Sequence, residues 1–222
     1  MQARLTGLNE KEILLYLGYR GQEYPEELKK QIKRCEAKVL AEASPRLVWR
    51  RMPVDGTDFL SLSLEGKDVG ELFEGCCEAV VMAVTLGQGI DRLLVQKSVS
   101  NVADAVIMDA CASAAIENVA DNFEADLRRE VEAEGAYLTD RFSPGYGDLP
   151  LDAQIKLCAA LDTGRRIGLS LSPSLLLIPG KSVTAVLGIS KKPKRRRERG
   201  CESCSLFYDC RYRKEGKNCH ER

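Results

Sequence analysis

The chain has 222 residues, a length that suits one domain with a short appendage. Its 33 basic and 33 acidic side chains balance, so the composition carries no overall bias toward nucleic acid or an anionic membrane. The single histidine, His220, excludes a Ser-His-Asp triad in the body of the chain and a zinc hydrolase site with two histidines.

The apolar and cysteine patterns indicate a compartment. No apolar run approaches the roughly 20 residues of a membrane span, and Glu10, Lys11 and Glu12 interrupt the segment where a signal core would lie. We therefore expect a cytoplasmic protein without membrane contact. The cysteine count of nine is odd, and four of these cysteines fall in the last 22 residues, so metal or redox chemistry in the tail is favoured over a disulfide framework.

Residues 1–45 are predicted to form an N-terminal helical segment. Asn9 and Glu12 have the spacing of a capping box, and the helix they open ends at Gly18. Pro25 opens a second helix, in which apolar residues recur at helical spacing.

Residues 46–190 mix strand and helix patterns, which indicates one α+β domain. The longest apolar stripe at helical spacing predicts a helix over residues 101–134. The other predicted helices span residues 68–75 and 151–161, and the predicted strands span residues 46–52, 58–64, 78–85, 167–171, 175–178 and 183–189.

Gly87 and Gly89 follow a buried-looking strand, as in a dinucleotide-binding fingerprint. Arg92 occupies the position of the third glycine of that fingerprint, so a simple strand-to-helix turn is the preferred interpretation.

The segment from Arg141 to Pro150 is rich in turn residues. Gly145 and Gly147 can adopt positive φ and leave room for a ligand against the backbone, while Pro144 and Pro150 restrict the chain on either side. Such a turn can present backbone N–H groups, a guanidinium and an aromatic ring to one small molecule. The alternative is a tight connector between two elements.

The sequence of this turn, Arg-Phe-Ser-Pro-Gly-Tyr, is followed by a predicted helix and then by Pro179-Gly180-Lys181-Ser182-Val183. Together these segments resemble the activation domain of cobalamin-dependent methionine synthase, most strongly over residues 100–190, and a stand-alone form of that module with a Cys-rich tail. The resemblance implies a twisted antiparallel β-sheet flanked by helices. It also implies that the domain binds S-adenosylmethionine and supplies its methyl group to rescue oxidised cobalamin, whose cobalt accepts the methyl group once it is reduced.

The resemblance also implies a ligand site. Arg141 would pair with the carboxylate of S-adenosylmethionine, and the backbone near Ser143 and Gly145 would bond its adenine or amino-acid head. Tyr146 would pack against the ligand, and Glu117, which matches a ligand-site glutamate in the long helix of the family, would meet the ribose or the positive end. No residue is expected to act as a catalytic acid or base. The tyrosine that the family carries after its last strand is absent here.

Residues 191–222 are predicted to form a basic linker and a Cys-rich tail. The linker is a solvated hinge, a docking patch for an acidic partner or a nucleic-acid contact. Four cysteines suffice for one metal centre, namely Cys201, Cys204, Cys210 and Cys219. Iron–sulfur is preferred to zinc because the resemblance implies a redox role, and free thiols on a disordered tail are the alternative.

The predicted function is therefore that of a reactivation subunit for reductive methylation of cobalamin. Its expected partners are a methionine synthase or another corrinoid protein that carries cobalamin, and an electron-donor protein. The contrasting prediction is a zinc-stabilised adaptor that has no small-molecule chemistry.

Overall fold

The structure is a computed structural model and describes residues 1–194. The predicted metal ligands Cys201, Cys204, Cys210 and Cys219 lie outside the described residues. Within residues 1–194 the chain forms eight helices: α1 (Glu10–Tyr16), α2 (Glu26–Glu42), α3 (Thr57–Leu60), α4 (Lys67–Phe73), α5 (Gln88–Ser100), α6 (Val102–Ala133), α7 (Ala153–Leu161) and α8 (Thr163–Ile167). The same residues form six strands: β1 (Arg46–Pro53), β2 (Cys76–Thr85), β3 (Tyr137–Leu138), β4 (Ser170–Leu171), β5 (Leu177–Ile178) and β6 (Ser182–Ser190).

Four strands form one antiparallel sheet in the order β1-β2-β6-β3. Strands β4 and β5 form a separate two-stranded antiparallel sheet. The predicted α+β fold class, with an antiparallel sheet flanked by helices, is thus confirmed.

Strand β2 is buried on both faces, which explains its nearly continuous apolar sequence. Successive side chains of a strand point to opposite faces. Its even-numbered residues Val80, Met82 and Val84 join a core cluster that also holds α1, α2, α5 and α6. Its odd-numbered neighbours from Ala79 to Ala83 join a second cluster that includes α7 and α8.

Helix α6 matches the long helix predicted from the sequence. Its N-cap is Asn101, whose side chain accepts a hydrogen bond from the backbone N–H of Asp104 at 3.0 Å, and such caps stabilise the first turn. Phe123, on its buried face, lies 5.7 Å from the ring of Trp49 on β1, measured between centroids. Ile13 of α1 and Ile32 of α2 belong to the same core cluster.

The strand predicted over residues 58–64 is wrong. The chain forms α3 there and then turns, with Ser63 at a φ of 46°. Leu60 is exposed although Leu62 is buried, so the leucines do not share one face of a strand. An alternation of five residues is too short to separate a strand from a helical turn followed by a bend.

The strands predicted over residues 167–171 and 175–178 are present only as the short strands β4 and β5. Ile167 ends α8, and Gly168 caps that helix in the left-handed region with a φ of 68°. Leu175 also has a positive φ, of 63°, which keeps it out of the ladder. Among residues 1–194, no helix has the length and apolarity to cross a membrane.

Candidate ligand-binding site

The turn from Arg141 to Pro150 starts at the edge of the four-stranded sheet. After β3, the N–H of Thr139 donates to the carbonyl of Gly188 at 2.9 Å and that of Phe142 to the carbonyl of Val186 at 3.0 Å. Phe142 is buried in the cluster of α7 and α8, whereas Arg141 contacts α6 on the other face of the sheet. The sheet edge therefore fixes the direction of both side chains.

Three backbone hydrogen bonds close the turn. The N–H of Gly145 donates to the carbonyl of Leu149 at 2.8 Å, that of Tyr146 to Ser143 at 3.2 Å, and that of Leu149 to Tyr146 at 3.1 Å. Gly145 has a φ of 86°. Leu149 is buried, while Tyr146 is 69% exposed. The buried Leu149 side chain and the backbone hydrogen bonds therefore anchor the turn, and the Tyr146 side chain lies in solvent.

Asp148 fastens the turn to α4. Its carboxylate accepts hydrogen bonds from the backbone N–H groups of Lys67 at 2.5 Å and Asp68 at 3.1 Å, the first residues of that helix. In the sequence, Asp148 also lies shortly before α7, which begins at Ala153. Carboxylates are favoured at any helix N-terminus, and here the nearer one in space belongs to α4.

Replacing Gly147 with alanine should lower the free energy of unfolding by about 1–2 kcal/mol, because an L-residue is strained in the left-handed region. Gly147 has a φ of 54°, and an added Cβ would lie 2.0 Å from Oδ2 of Asp68 and 3.2 Å from Cζ of Phe142. Urea unfolding measures the effect. The matched control is Gly164→Ala in α8, where φ is not positive and an added Cβ meets nothing within 4 Å. Equal stability of the two variants would show that the turn does not need glycine at position 147.

Arg141 lies against three carboxylates of α6. Its Nε is 2.9 Å from Oε2 of Glu124, its Nη2 is 3.4 Å from Oε2 of Glu117, and Nη2 also bonds the carboxylate of Asp121. The Arg141 side chain is only 16% exposed. The structure thus brings together Glu117 and Arg141, two of the predicted site residues, and adds Asp121 and Glu124, which the sequence reasoning missed.

A sequence signal for the two missed residues existed. Asp121 and Glu124 lie four and seven residues after Glu117, the spacing that places side chains on one face of a helix. Once Glu117 was proposed to face a ligand, the same face should have been extended to both.

A second guanidinium supports this acidic group. Nη2 of Arg128 bonds Oε1 of Glu124 at 2.8 Å and lies 3.8 Å from Oδ1 of Asp140. Nη1 of Arg128 also donates to the carbonyl of Leu138 at 2.6 Å, which ties α6 to β3. The four carboxylates of Glu117, Asp121, Glu124 and Asp140 outnumber the two guanidiniums, so the group carries a formal excess of two negative charges.

Comparison of the fold with solved structures returns the crystal structure of the MetH reactivation domain bound to AdoHcy. The TM-score is 0.64 at 16% sequence identity, over 95% of this chain and 82% of that one. The chain has the fold of that reactivation domain. No protein-family model and no curated protein sequence matches it.

The cysteines of the reactivation-domain fold itself offer no metal centre. Within residues 1–194, no group of three or more His, Cys, Asp or Glu side chains is arranged to hold a metal ion. Burial raises the pKa of the Cys111 thiol to about 12, and burial also raises the pKa of the Cys35 thiol. Both thiols are therefore harder to ionise than a free cysteine.

A cavity of about 370 Å³ lies elsewhere, between the start of β1 and the start of α5. Its lining includes Arg46, Gly87, Arg92 and Gly168, and none of its residues belongs to the turn or to the face of α6 that Arg141 contacts. The cavity and the predicted ligand site are therefore different places.

Proposed function

We propose that this protein binds S-adenosylmethionine at the turn from Arg141 to Tyr146 and acts as a reactivation subunit for a corrinoid protein, with a methionine synthase as the first candidate. The contact between Arg141 and Glu117 carries the proposal, because it unites two side chains predicted to hold one ligand. The fold supports it, since the MetH reactivation domain that shares this fold was crystallised with AdoHcy.

Arg141 would receive the carboxylate of the ligand by exchange. Its guanidinium has five N–H donors in a planar fork, which suits bidentate pairing with a carboxylate. Asp121 is the most exposed of its three carboxylate partners, at 65%, and is therefore the one whose displacement into water costs least. Glu124 would stay in place because Arg128 holds its other oxygen.

The negative excess around Arg141 favours a ligand that also carries a positive charge. S-adenosylmethionine has a sulfonium cation that S-adenosylhomocysteine lacks. Carboxylates near a cation lower its energy, and the effect weakens as exposure and salt increase. We expect Glu117 to supply part of this attraction, since only about a third of its side chain is exposed.

The methyl group would leave the sulfonium for the reduced cobalt of cobalamin bound to the partner protein. That chemistry belongs to the two cofactors, so the residues of this chain are needed only to bind and orient the ligand. Ser143 and Gly145 would contribute backbone groups and Tyr146 its exposed ring. We propose that Cys201, Cys204, Cys210 and Cys219 bind one metal centre. An iron–sulfur cluster there would pass electrons, whereas a zinc ion would stabilise the fold of the tail.

Calorimetric titration followed by a reactivation assay tests the function. The full chain should bind S-adenosylmethionine more tightly than S-adenosylhomocysteine. With an electron donor, it should then restore methylcobalamin on a methionine synthase that lacks its own activation domain. Binding without recovery would point to another corrinoid protein. Absence of binding would contradict the proposal and favour an adaptor, which elemental analysis for zinc and iron would then examine.

A further inference from the structure

We propose that the cavity beside Arg46 and Arg92 is a second site, which binds a small molecule bearing a phosphate group. Its volume of about 370 Å³ lies at the lower end of the range for small-molecule pockets, roughly 300–1,000 Å³. The proposal goes beyond the function proposed for the turn and does not depend on it.

The arginines of this cavity differ from most others in residues 1–194. Eight of the twelve arginines in residues 1–194 form ion pairs with a carboxylate. Arg46 and Arg92 are among the four that do not, although both line the same cavity. Among the described residues, the Arg46 side chain donates one hydrogen bond, from Nη1 to the carbonyl of Ile167 at 3.5 Å. Within residues 1–194, neither guanidinium has a carboxylate partner. Several of their N–H donors are therefore available to an anion.

The backbone around these arginines leaves room for a ligand. Gly87, Gly89 and Gly168 all line the cavity without side chains. Gly87 and Gly168 have φ values of 83° and 68°, and a Cβ on Gly168 would lie 3.3 Å from Nη1 of Arg46. The N-cap of α5 is Gly87, which has no side chain to cap the helix, so the first N–H groups of α5 can add donors to the two guanidiniums. A phosphate, with more acceptor oxygens than a carboxylate, suits this number of donors.

Glu42 is the acidic side chain in the lining of the cavity. Its charge is opposite to that of the arginines, so its removal should change phosphate binding in the opposite direction. A Cβ on Gly89 would lie 2.5 Å from Oε1 of Glu42, so this carboxylate sits close to the start of α5. Asp91, in the first turn of the same helix, accepts a hydrogen bond from the N–H of Gly180 at 2.9 Å. A bound phosphate would be attracted by the arginines and repelled by Glu42, so neutralising Glu42 should strengthen binding.

No residue of α6 lines the cavity, whereas the Arg141 site lies on α6. Lys181, next to the start of β6, bonds Oδ1 of Asp109 and Oγ of Ser113, each within 3 Å, whereas Arg141 contacts residues from Glu117 onward. Eight residues from Asp109 to Glu117 correspond to about 12 Å along a helix. Lys181, two residues after the lining residue Pro179, therefore meets α6 well before the part of that helix that Arg141 contacts.

Titration of the full chain with inorganic pyrophosphate at low ionic strength tests the second site. We expect Arg46→Gln and Arg92→Gln each to weaken binding roughly tenfold, about 1.4 kcal/mol, and Glu42→Gln to strengthen it. Arg166→Gln is the matched control, because Arg166 is exposed and also lacks an ion pair within residues 1–194 but does not line the cavity. Each variant keeps the basic linker, so binding by the linker cannot mimic the pattern.

Three results would overturn the proposal. Wild-type protein that does not bind pyrophosphate removes the site. An equal loss in Arg166→Gln and Arg92→Gln assigns the binding to general surface charge. Loss of S-adenosylmethionine binding in Arg92→Gln, with its fold intact by circular dichroism, makes the cavity part of the turn site. If the protein does not bind S-adenosylmethionine at all, the pyrophosphate titration still tests the cavity. The proposal for the turn and the proposal for the cavity can therefore fail independently.

Discussion

Alanine at position 141 should weaken binding of S-adenosylmethionine by about 1.5–3 kcal/mol, the range for a hydrogen bond to a charged group. The variant loses the fork proposed to hold the ligand carboxylate, and it leaves Glu117, Asp121 and Glu124 without the guanidinium that they share. The remaining carboxylates would still attract the sulfonium, which sets a limit to the loss. Calorimetric titration of the variant and the wild-type protein measures the difference.

Two further variants test whether the effect of Arg141→Ala is specific to the guanidinium of Arg141. Arg129→Ala removes an exposed arginine whose partner, Asp126, lies on the same helix, and it should bind as the wild type does. Arg141→Lys keeps the charge without the fork and should fall between the two. Arg141 is largely buried by its neighbours, so urea unfolding of Arg141→Ala must accompany the titration. A folded Arg141→Ala variant with wild-type affinity would contradict the assignment of Arg141 to the ligand.

Replacing Phe123 with alanine should lower the free energy of unfolding by about 3–5 kcal/mol, the range for deleting a large aromatic side chain from a core. Phe123 is almost fully buried in the cluster between α6 and the sheet, where its ring contacts that of Trp49. The cavity left behind would lie in a core cluster that holds residues of α1, α2, α5, α6 and the sheet, and a cavity adds to the loss of buried surface. Urea unfolding followed by circular dichroism measures the loss.

Val99→Ala is the control for Phe123→Ala. Val99 lies on α5 and is 87% exposed, so its truncation removes little buried surface and should change stability by no more than about 0.5 kcal/mol. A loss below about 1 kcal/mol for Phe123→Ala would mean that its ring is not part of the core, and it would call the packing of α6 on β1 into question.

The parts of the fold that the sequence predicts best are those in which a long pattern and a cap agree. Helix α6 carries an apolar stripe over its whole length and has Asn101 at its start. Strand β2 is buried on both faces, so nearly every residue is apolar. The segment 58–64 failed because its leucines alternate over too few residues, and the positive φ of Ser63 is not visible in the sequence.

The sequence predicts part of the candidate site. It does not predict the contacts between residues that are distant in the chain but close in the fold. The turn residues Arg141 to Tyr146 are local in sequence, and their composition alone indicates a tight turn. The partners of Arg141 lie 17 to 24 residues earlier, and the contact depends on β3 returning the chain along α6. The cap that Asp148 provides to α4 spans 80 residues for the same reason. Local patterns cannot identify such contacts without the sheet order.

That sheet order constrains how the protein can assemble during synthesis. Strand β6 is the last in the described chain, yet it lies between β2 and β3. During translation, β2 and β3 are synthesised before β6. Until residues 182–190 have been synthesised, each of these strands has an unpaired edge that can pair with an incorrect strand. Because β6 pairs with β2, which lies about 100 residues earlier in the chain, this order slows folding compared with a meander of neighbouring strands. Of the four strands in this sheet, only β1 and β2 can pair before residues 182–190 have been synthesised.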